Sequence, residues 1–325
     1  MNWWLPHKFE TKKTYLEVRV QLIRAMRAHF DDQDFWEVQT PILQTMPGAD
    51  VHIHAYKLEN GAYLHNSPEF AMKKLLVAGA PKIYQICPVF RREERTNLHN
   101  PEFTMLEWYR AQADYTNIMK DCEELLRSLE IKEFHYNGQT CDPHAPWRRI
   151  TVCEAFKQYT DIDLASHFGN VDTFRSTVAE KGIRTIETDN WDDIFHAVMA
   201  EKIEPHLGQG APTILYDYPA SMAVLSRKKP EDPRLAERFE LYVCGVELAN
   251  AFSELTDPAE QRARFIADMA EKQRLYGESY PLDEDFLAAL DHGMPESAGI
   301  ALGVDRLIML ATGAKEIVQV LWTQD

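Results

Sequence analysis

No apolar run in this chain approaches the ~18 residues that a membrane-crossing helix requires. The opening residues, MNWWLPHKFETKK, hold no apolar core of signal-peptide length. These absences predict a soluble, cytoplasmic protein with no membrane partner. The five cysteines (Cys87, Cys122, Cys141, Cys153, Cys244) are scattered without a C-x-x-C pair. Neither a zinc ribbon nor a dithiol redox motif is signalled, and reduced structural thiols are expected. Basic residues form only short clusters, Lys73-Lys74, Arg148-Arg149 and Arg227-Lys228-Lys229. With 35 Lys and Arg against 51 Asp and Glu, the formal charge is −16. A chain this acidic has no global attraction for a phosphate backbone, which leaves only a local patch to bind RNA. No repeat, low-complexity tract or domain boundary stands out. What is present is a 325-residue chain, 45% hydrophobic, long enough for one large domain or two small ones with a real core.

The most informative stretch is Ile83 to Arg110, IYQICPVFRREERTNLHNPEFTMLEWYR. It reads as a strand over 84–92, a polar loop over 95–101 and a second strand over 103–109. Alternation puts Arg91 and Glu93 on one face, and Phe103, Met105, Glu107 and Tyr109 on one face. A ring, a thioether, a carboxylate and a phenol make a poor core. They suit the floor of a site for a ligand that is part flat ring, part cation and part anion. An ordinary hairpin with surface charges is the bland alternative.

Elsewhere, Leu16, Val20, Ile23, Met26 and Phe30 recur at helical spacing over 14–30, followed by a strand over 35–43 interrupted by Pro41. Ser67-Pro68 starts a helix after YLHN, with Glu69 in its first turn, where it also suits the helix dipole. Helices are expected over 117–129, 150–159, 171–181, 191–204, 258–277 and 283–292, and the stretch 212–225 opens with an apolar strand. Two extended runs flank Cys244-Gly245, a hairpin signal. A two-residue turn there pairs 242 with 247 and 240 with 249, so Glu240 and Glu247 become diagonal neighbours on one face. Something positive is expected between them, Mg²⁺ with a phosphate being one candidate; two solvated glutamates are the alternative. Asn250, Phe252 and Glu254 share a face of opposite parity to Glu247. If all line one cavity, the strand carries a bulge between 247 and 250. GIALGVDRLIMLATG, 299–313, places glycines where backbone approaches a ligand and a helix start at Asp305-Arg306.

FRREE, a short loop and HNPEFTMLEWY resemble motif 2 of the class II aminoacyl-tRNA synthetases, closest to the lysyl branch. The 14–43 helix–strand resembles motif 1, which in that family builds a homodimer interface; packing within one chain is the alternative. Residues 299–313 resemble motif 3. The resemblance implies an α+β fold with a mostly antiparallel sheet flanked by helices. It covers 1–325 as one catalytic domain with a helical insertion around 111–212. It also implies ATP and Mg²⁺. Arg91 and Arg306, the catalytic pair, would hold the α- and γ-phosphates. Phe103 would stack on adenine, Glu93 accept from its amino group, and His99 and Asn100 hold ribose or phosphate. Arg92, Leu248 and Gly303 join the nucleotide side, and Glu240 and Glu247 hold Mg²⁺. Ser67, Pro68, Glu69, Glu107, Tyr109, Asn250, Glu254 and Ala301 would line the amino-acid side.

Several carboxylates with no evident basic partner call for a cationic ligand, since buried charge must be paired. A diamino acid fits. No anticodon-binding domain is expected before residue 14 or after motif 3. That pattern resembles the stand-alone lysyl synthetase paralogues, the elongation factor P–(R)-β-lysine ligases. Ala301, where lysyl synthetases carry glycine, supports the same expectation. The expected substrate is (R)-β-lysine or lysine and the expected acceptor a lysine of elongation factor P; tRNA is not expected as a partner. A minimal synthetase that charges tRNA, or a non-catalytic regulatory paralogue, are the alternatives.

Overall fold

The computed structural model describes residues 2–223 and 225–323. Val224, in the 212–225 stretch expected to open with a strand, and the extremes of the expected 1–325 domain lie outside the described residues.

The chain opens with α1 (Pro6–Asp31), with proline in its first turn. Leu16, Arg19, Leu22, Met26 and Phe30 form its buried stripe. The expected 35–43 strand is instead two dipeptide strands, β1 (Trp36–Glu37) and β2 (Leu43–Gln44). Pro41, which has no N–H to give a ladder, lies between them. β3 (Tyr63–Leu64) leads into α2 (Glu69–Val77), and the long hairpin β4 (Lys82–Phe90) and β5 (Glu102–Ala111) follows.

Next come α3 (Tyr115–Ser128), β6 (Phe134–Tyr136), β7 (Gln139–Cys141), β8 (Arg148–Thr151), α4 (Val152–Thr160), α5 (Val171–Glu180) and α6 (Trp191–Val198). Capping boxes at Asp114 and Thr151 fix the starts of α3 and α4. The three short strands here were not anticipated from the sequence. The expected 191–204 helix ends early, passing through one π-turn over Met199–Ile203. β9 (Thr213–Pro219), β10 (Leu235–Val243), β11 (Val246–Ser253), α7 (Pro258–Tyr276), α8 (Glu284–Gly293), β12 (Ser297–Gly303) and α9 (Val304–Thr312) complete the order.

Among the described residues the main sheet has eight strands in the order β1-β4-β5-β12-β11-β10-β9-β8. Only the edge pairs β1–β4 and β8–β9 are parallel. The α+β, mostly antiparallel architecture is thus the one expected. One face of the sheet packs on α1, α3 and α9 through Phe30, Trp108, Leu106, Ile300 and Leu302. Phe30 stacks on Tyr84 at 4.6 Å. Helices α4–α6 enclose a second apolar cluster against β9, and α2, α7 and α8 a third, beside Ile83 and Tyr109. The remaining face of the central strands is where the candidate site lies. No helix among the described residues is long and apolar enough to cross a membrane.

Candidate active site

The site floor follows from strand register. Glu107 lies opposite Ala301, Ala301 opposite Asn250, and Asn250 opposite Glu240. The next row runs Tyr109, Gly299, Phe252, Arg238. Met105 lies opposite Gly303 in the row on the other side. The central strand β12 therefore presents only Gly299, Ala301 and Gly303 to this face. Small residues there leave a trough walled by longer side chains of β5, β10 and β11. Gly299 is required sterically: a Cβ on it would lie 2.1 Å from the Tyr109 ring and 2.8 Å from Glu254 Oε1.

β10 and β11 turn at Cys244-Gly245, both with positive φ (51° and 72°), the geometry of a primed hairpin turn. Tyr242 pairs with Glu247 as expected, but Leu241 pairs with Ala249. Leu248 is the extra residue of a bulge. Alternation thus breaks between 247 and 250, which brings Glu247 and Asn250 to the same cavity. It also shifts the register: Glu240 lies opposite Asn250 rather than 249.

The cavity, about 300 Å³, is lined by Arg91, His99, Asn100, Phe103, Glu240, Glu247, Leu248, Asn250, Ala301, Gly303 and Arg306 among others. Residues expected on the nucleotide side thus converge from the β4–β5 loop, β11 and the start of α9. Arg306 donates to the Glu247 carbonyl at 2.7 Å and to His99 Nε2 at 2.6 Å. A guanidinium has no acceptor, so His99 Nε2 accepts, and Nδ1–H faces Thr96 Oγ1 at 2.8 Å. Burial, with Arg306 and Arg91 beside it, pushes His99 down to about 4, leaving it neutral near pH 7. The Arg91 guanidinium sits 5.2 Å from the Phe103 ring centroid. At the cavity wall, Asp305 accepts from the backbone N–H of Thr104 at 2.7 Å and forms a buried ion pair with Arg19 of α1. This fixes the helix that carries Arg306.

The charge expected between Glu240 and Glu247 is already supplied by the protein. Glu240 accepts from Arg238 at 2.6 Å and from the Tyr218 and Tyr242 hydroxyls at 2.6 and 2.7 Å. Glu247 is partly exposed, with Arg306 at 3.5 Å. Among the described residues no group of three or more His, Cys, Asp or Glu is placed to hold a metal ion. Glu247 is free to take a cation brought in with a ligand; Glu240 has a single carboxylate lone pair left.

Ser67, Glu69, Glu107, Tyr109 and Glu254 gather in a separate cluster that lines no wall of the cavity; Glu107, Tyr109 and Glu254 are buried, Ser67 and Glu69 partly so. Ser67 Oγ and the Tyr109 hydroxyl donate to Glu107 at 2.5 and 2.7 Å. Burial and neighbouring Glu69 raise Glu107 to about 7, against those donors and Lys73. Burial raises Glu254 to about 8 despite Lys73, with Glu69 and Glu107 adding to the rise. The expectation that these carboxylates lack a basic partner is corrected. Lys73, one turn after Glu69 on α2, is buried and ion-pairs with both Glu69 (2.5 Å) and Glu254.

Three expected residues lie elsewhere. Pro68 is the buried N-cap of α2 and lines no wall of the cavity. Glu93, with φ 71°, is exposed and pairs with Arg92 at 3.1 Å. Arg92 in turn pairs with Glu278 beyond α7. The left-handed turn at Glu93 breaks the alternation that put it beside Arg91. Reading the sequence missed Lys73, Arg238, Arg19 and Asp305. The available signal was a lysine on the helical face shared by Phe70 and Leu76.

A family model described as tRNA synthetases class II (D, K and N) matches residues 3–322. A lysine–tRNA ligase of Pelotomaculum thermopropionicum is 38% identical over 319 residues, 95% of this chain and 63% of the relative. Lysine–tRNA ligases of Carboxydothermus hydrogenoformans (37%; 96% and 65%) and Staphylococcus aureus (36%; 96% and 64%) match similarly. The chain spans less than two thirds of the length of these relatives. Their name, which couples lysine to tRNA, overturns the expected likeness to protein-modifying paralogues. With it go elongation factor P as acceptor, (R)-β-lysine as substrate and the exclusion of tRNA as a partner.

Proposed function

We propose that this chain, which belongs to the class II tRNA synthetases of the D, K and N group, activates lysine with ATP and passes it to tRNA. The observation that supports this best is the continuity of the floor. One cross-strand row joins buried Glu107 to Ala301, Asn250 and Glu240, and the cavity above that row also holds Arg91 and Arg306. Anionic walls and cationic walls thus meet over a strand of small residues. We read the elements as one catalytic domain, with α3–α6 and their short strands as an insertion.

The amino acid lies with its ammonium groups toward Glu69, Glu107, Glu254 and the Tyr109 hydroxyl, and its carboxylate toward the nucleotide. Asn250 and Ala301 separate the two halves. Arg91 neutralises the α-phosphate and Arg306 the γ-phosphate; His99, Asn100, Leu248 and Gly303 bound the ribose and phosphates, and Phe103 stacks on adenine. Glu247, with the free lone pair of Glu240, would hold Mg²⁺, which supplies charge neutralisation on the phosphate oxygens. No nucleophilic side chain is required. The lysine carboxylate oxygen attacks the α-phosphorus, the α–β bridging P–O bond breaks, and pyrophosphate leaves with the electron pair. Fixed orientation of two bound reactants and preplaced positive charge lower the barrier. A neutral amino acid would leave buried carboxylates unpaired and is rejected.

Pyrophosphate exchange with each standard amino acid tests the first half, and charging of total tRNA tests the second. Lysine-dependent exchange followed by lysyl-tRNA is the expected result. Exchange that does not depend on lysine refutes the substrate; exchange without charging refutes the acceptor.

A further inference from the structure

Among the described residues Lys73 is the one buried cation of the carboxylate cluster, and nothing in the motif resemblance assigns it a part. Its side chain is 2% exposed. Its ammonium is fixed between Glu69 on its own helix and Glu254 at the end of β11, with the Phe252 ring centroid 5.2 Å away. Burial opposes its charge, but Glu254 and Glu69 outweigh that and raise its pKa. Glu107 and Tyr109 of β5 complete the ionisable groups around it. Glu254 Oε1, by contrast, has no hydrogen-bond partner although it is buried. It lies over Gly299 beside the Tyr109 ring, which fills that position: a Cβ on Gly299 would stand 2.8 Å from Oε1 and 2.1 Å from the ring. An unpaired buried carboxylate oxygen marks where a donor belongs.

We propose that Lys73 is a specificity-determining positioning residue: its fixed ammonium, bridging Glu69 and Glu254, cancels one of the three carboxylate charges and leaves Glu254 Oε1 and Glu107 for a substrate that brings two ammonium groups. This rests on the lysine reading above. Glu69, Glu107 and Glu254 carry three negative charges when ionised, and Lys73 supplies one positive charge. The balance of two matches the α- and ε-ammonium groups of a diamino acid. Without Lys73 the cluster neutralises itself by holding a further proton, which the substrate must displace.

The test measures pyrophosphate exchange from pH 6 to 9 for the wild type, K73Q and K73R, with KM for lysine and for ATP determined separately. K73Q is expected to move the midpoint of the lysine KM–pH profile upward by about one unit, roughly a tenfold rise in KM below the midpoint. Its KM for ATP is expected to stay near the wild-type value. K73R, which restores the charge, is expected to keep the wild-type midpoint. An unmoved midpoint in K73Q, a K73R midpoint shifted like that of K73Q, or a parallel rise in both KM values overturns the proposal. If K73Q does not fold, K73R decides alone by whether its midpoint holds. A wild type without lysine-dependent exchange overturns both readings, whereas a lysine-dependent wild type with an insensitive K73Q overturns only this one.

Discussion

Replacing Gly299 by alanine adds one methyl group at the most crowded point of the floor. Its Cβ would sit 2.1 and 2.2 Å from two Tyr109 ring carbons and 2.8 Å from Glu254 Oε1. Ordinary contact needs about 3.4 Å, so the ring must retreat by about 1.3 Å. Tyr109 is only 3% exposed and has little room to do so. Overpacking of this kind costs about 1–3 kcal/mol. The hydroxyl that donates to Glu107 at 2.7 Å moves with the ring. Losing a hydrogen bond to a charged acceptor adds about 1.5–3 kcal/mol. The total, about 2.5–6 kcal/mol, corresponds to a fall in Tm of about 5–12 °C at about 2 °C per kcal/mol for a protein of this size. Thermal melting measures that term. Exchange kinetics should show KM for lysine rising strongly while KM for ATP changes little, because Phe103 and Arg306 lie away from the added methyl. Ala301→Gly, one row along the same strand, serves as the control and should leave Tyr109 in place. A G299A protein with wild-type Tm and wild-type KM for lysine would refute the steric account of the floor.

Truncating Phe103 to alanine should raise KM for ATP by about 5–150-fold, the value of about 1–3 kcal/mol of base stacking, with KM for lysine little changed. Lysine affinity should rise between pH 6 and 8 and level off above. Glu107 and Glu254 hold protons up to about 7 and 8 and must release them to bind an ammonium. The ligand-free protein should respond in the opposite sense. Carboxyls with raised pKa stabilise the fold below the ordinary carboxylate range and lose that contribution as pH rises toward 8, which urea titrations at several pH values would detect. Asp305→Asn should lower stability by about 3–5 kcal/mol, because Arg19 stays buried without a counter-charge. A urea midpoint equal to wild type would refute that cost.

The parts legible in the sequence were those set by local chemistry. Cys244-Gly245 announced a hairpin because two apolar runs flanked a residue pair suited to positive φ. The bulge at Leu248 was legible because Glu247 and Asn250 have opposite parity yet belong to one cavity. The β4–β5 hairpin announced a site through the mixed face of Phe103, Met105, Glu107 and Tyr109. What stayed hidden depends on residues distant along the chain. Lys73 read only as half of a short basic cluster with Lys74, since its partner Glu254 reaches it only in the folded chain. The partners of Glu240 were hidden in the same way: Arg238, two positions earlier on the same strand, and the hydroxyls of Tyr218 and Tyr242 close on it only in the folded sheet. Glu93 was misplaced because strand alternation was carried past Phe90, where β4 ends and a left-handed turn begins.

The tie between Arg19 and Asp305 spans 286 residues of sequence. Two stretches far apart along the chain are thereby coupled: α1 carries the cation and α9 the anion that answers it, next to Arg306. Damage to α1, which lines no wall of the cavity, can therefore reach Arg306 through the helix that Asp305 starts.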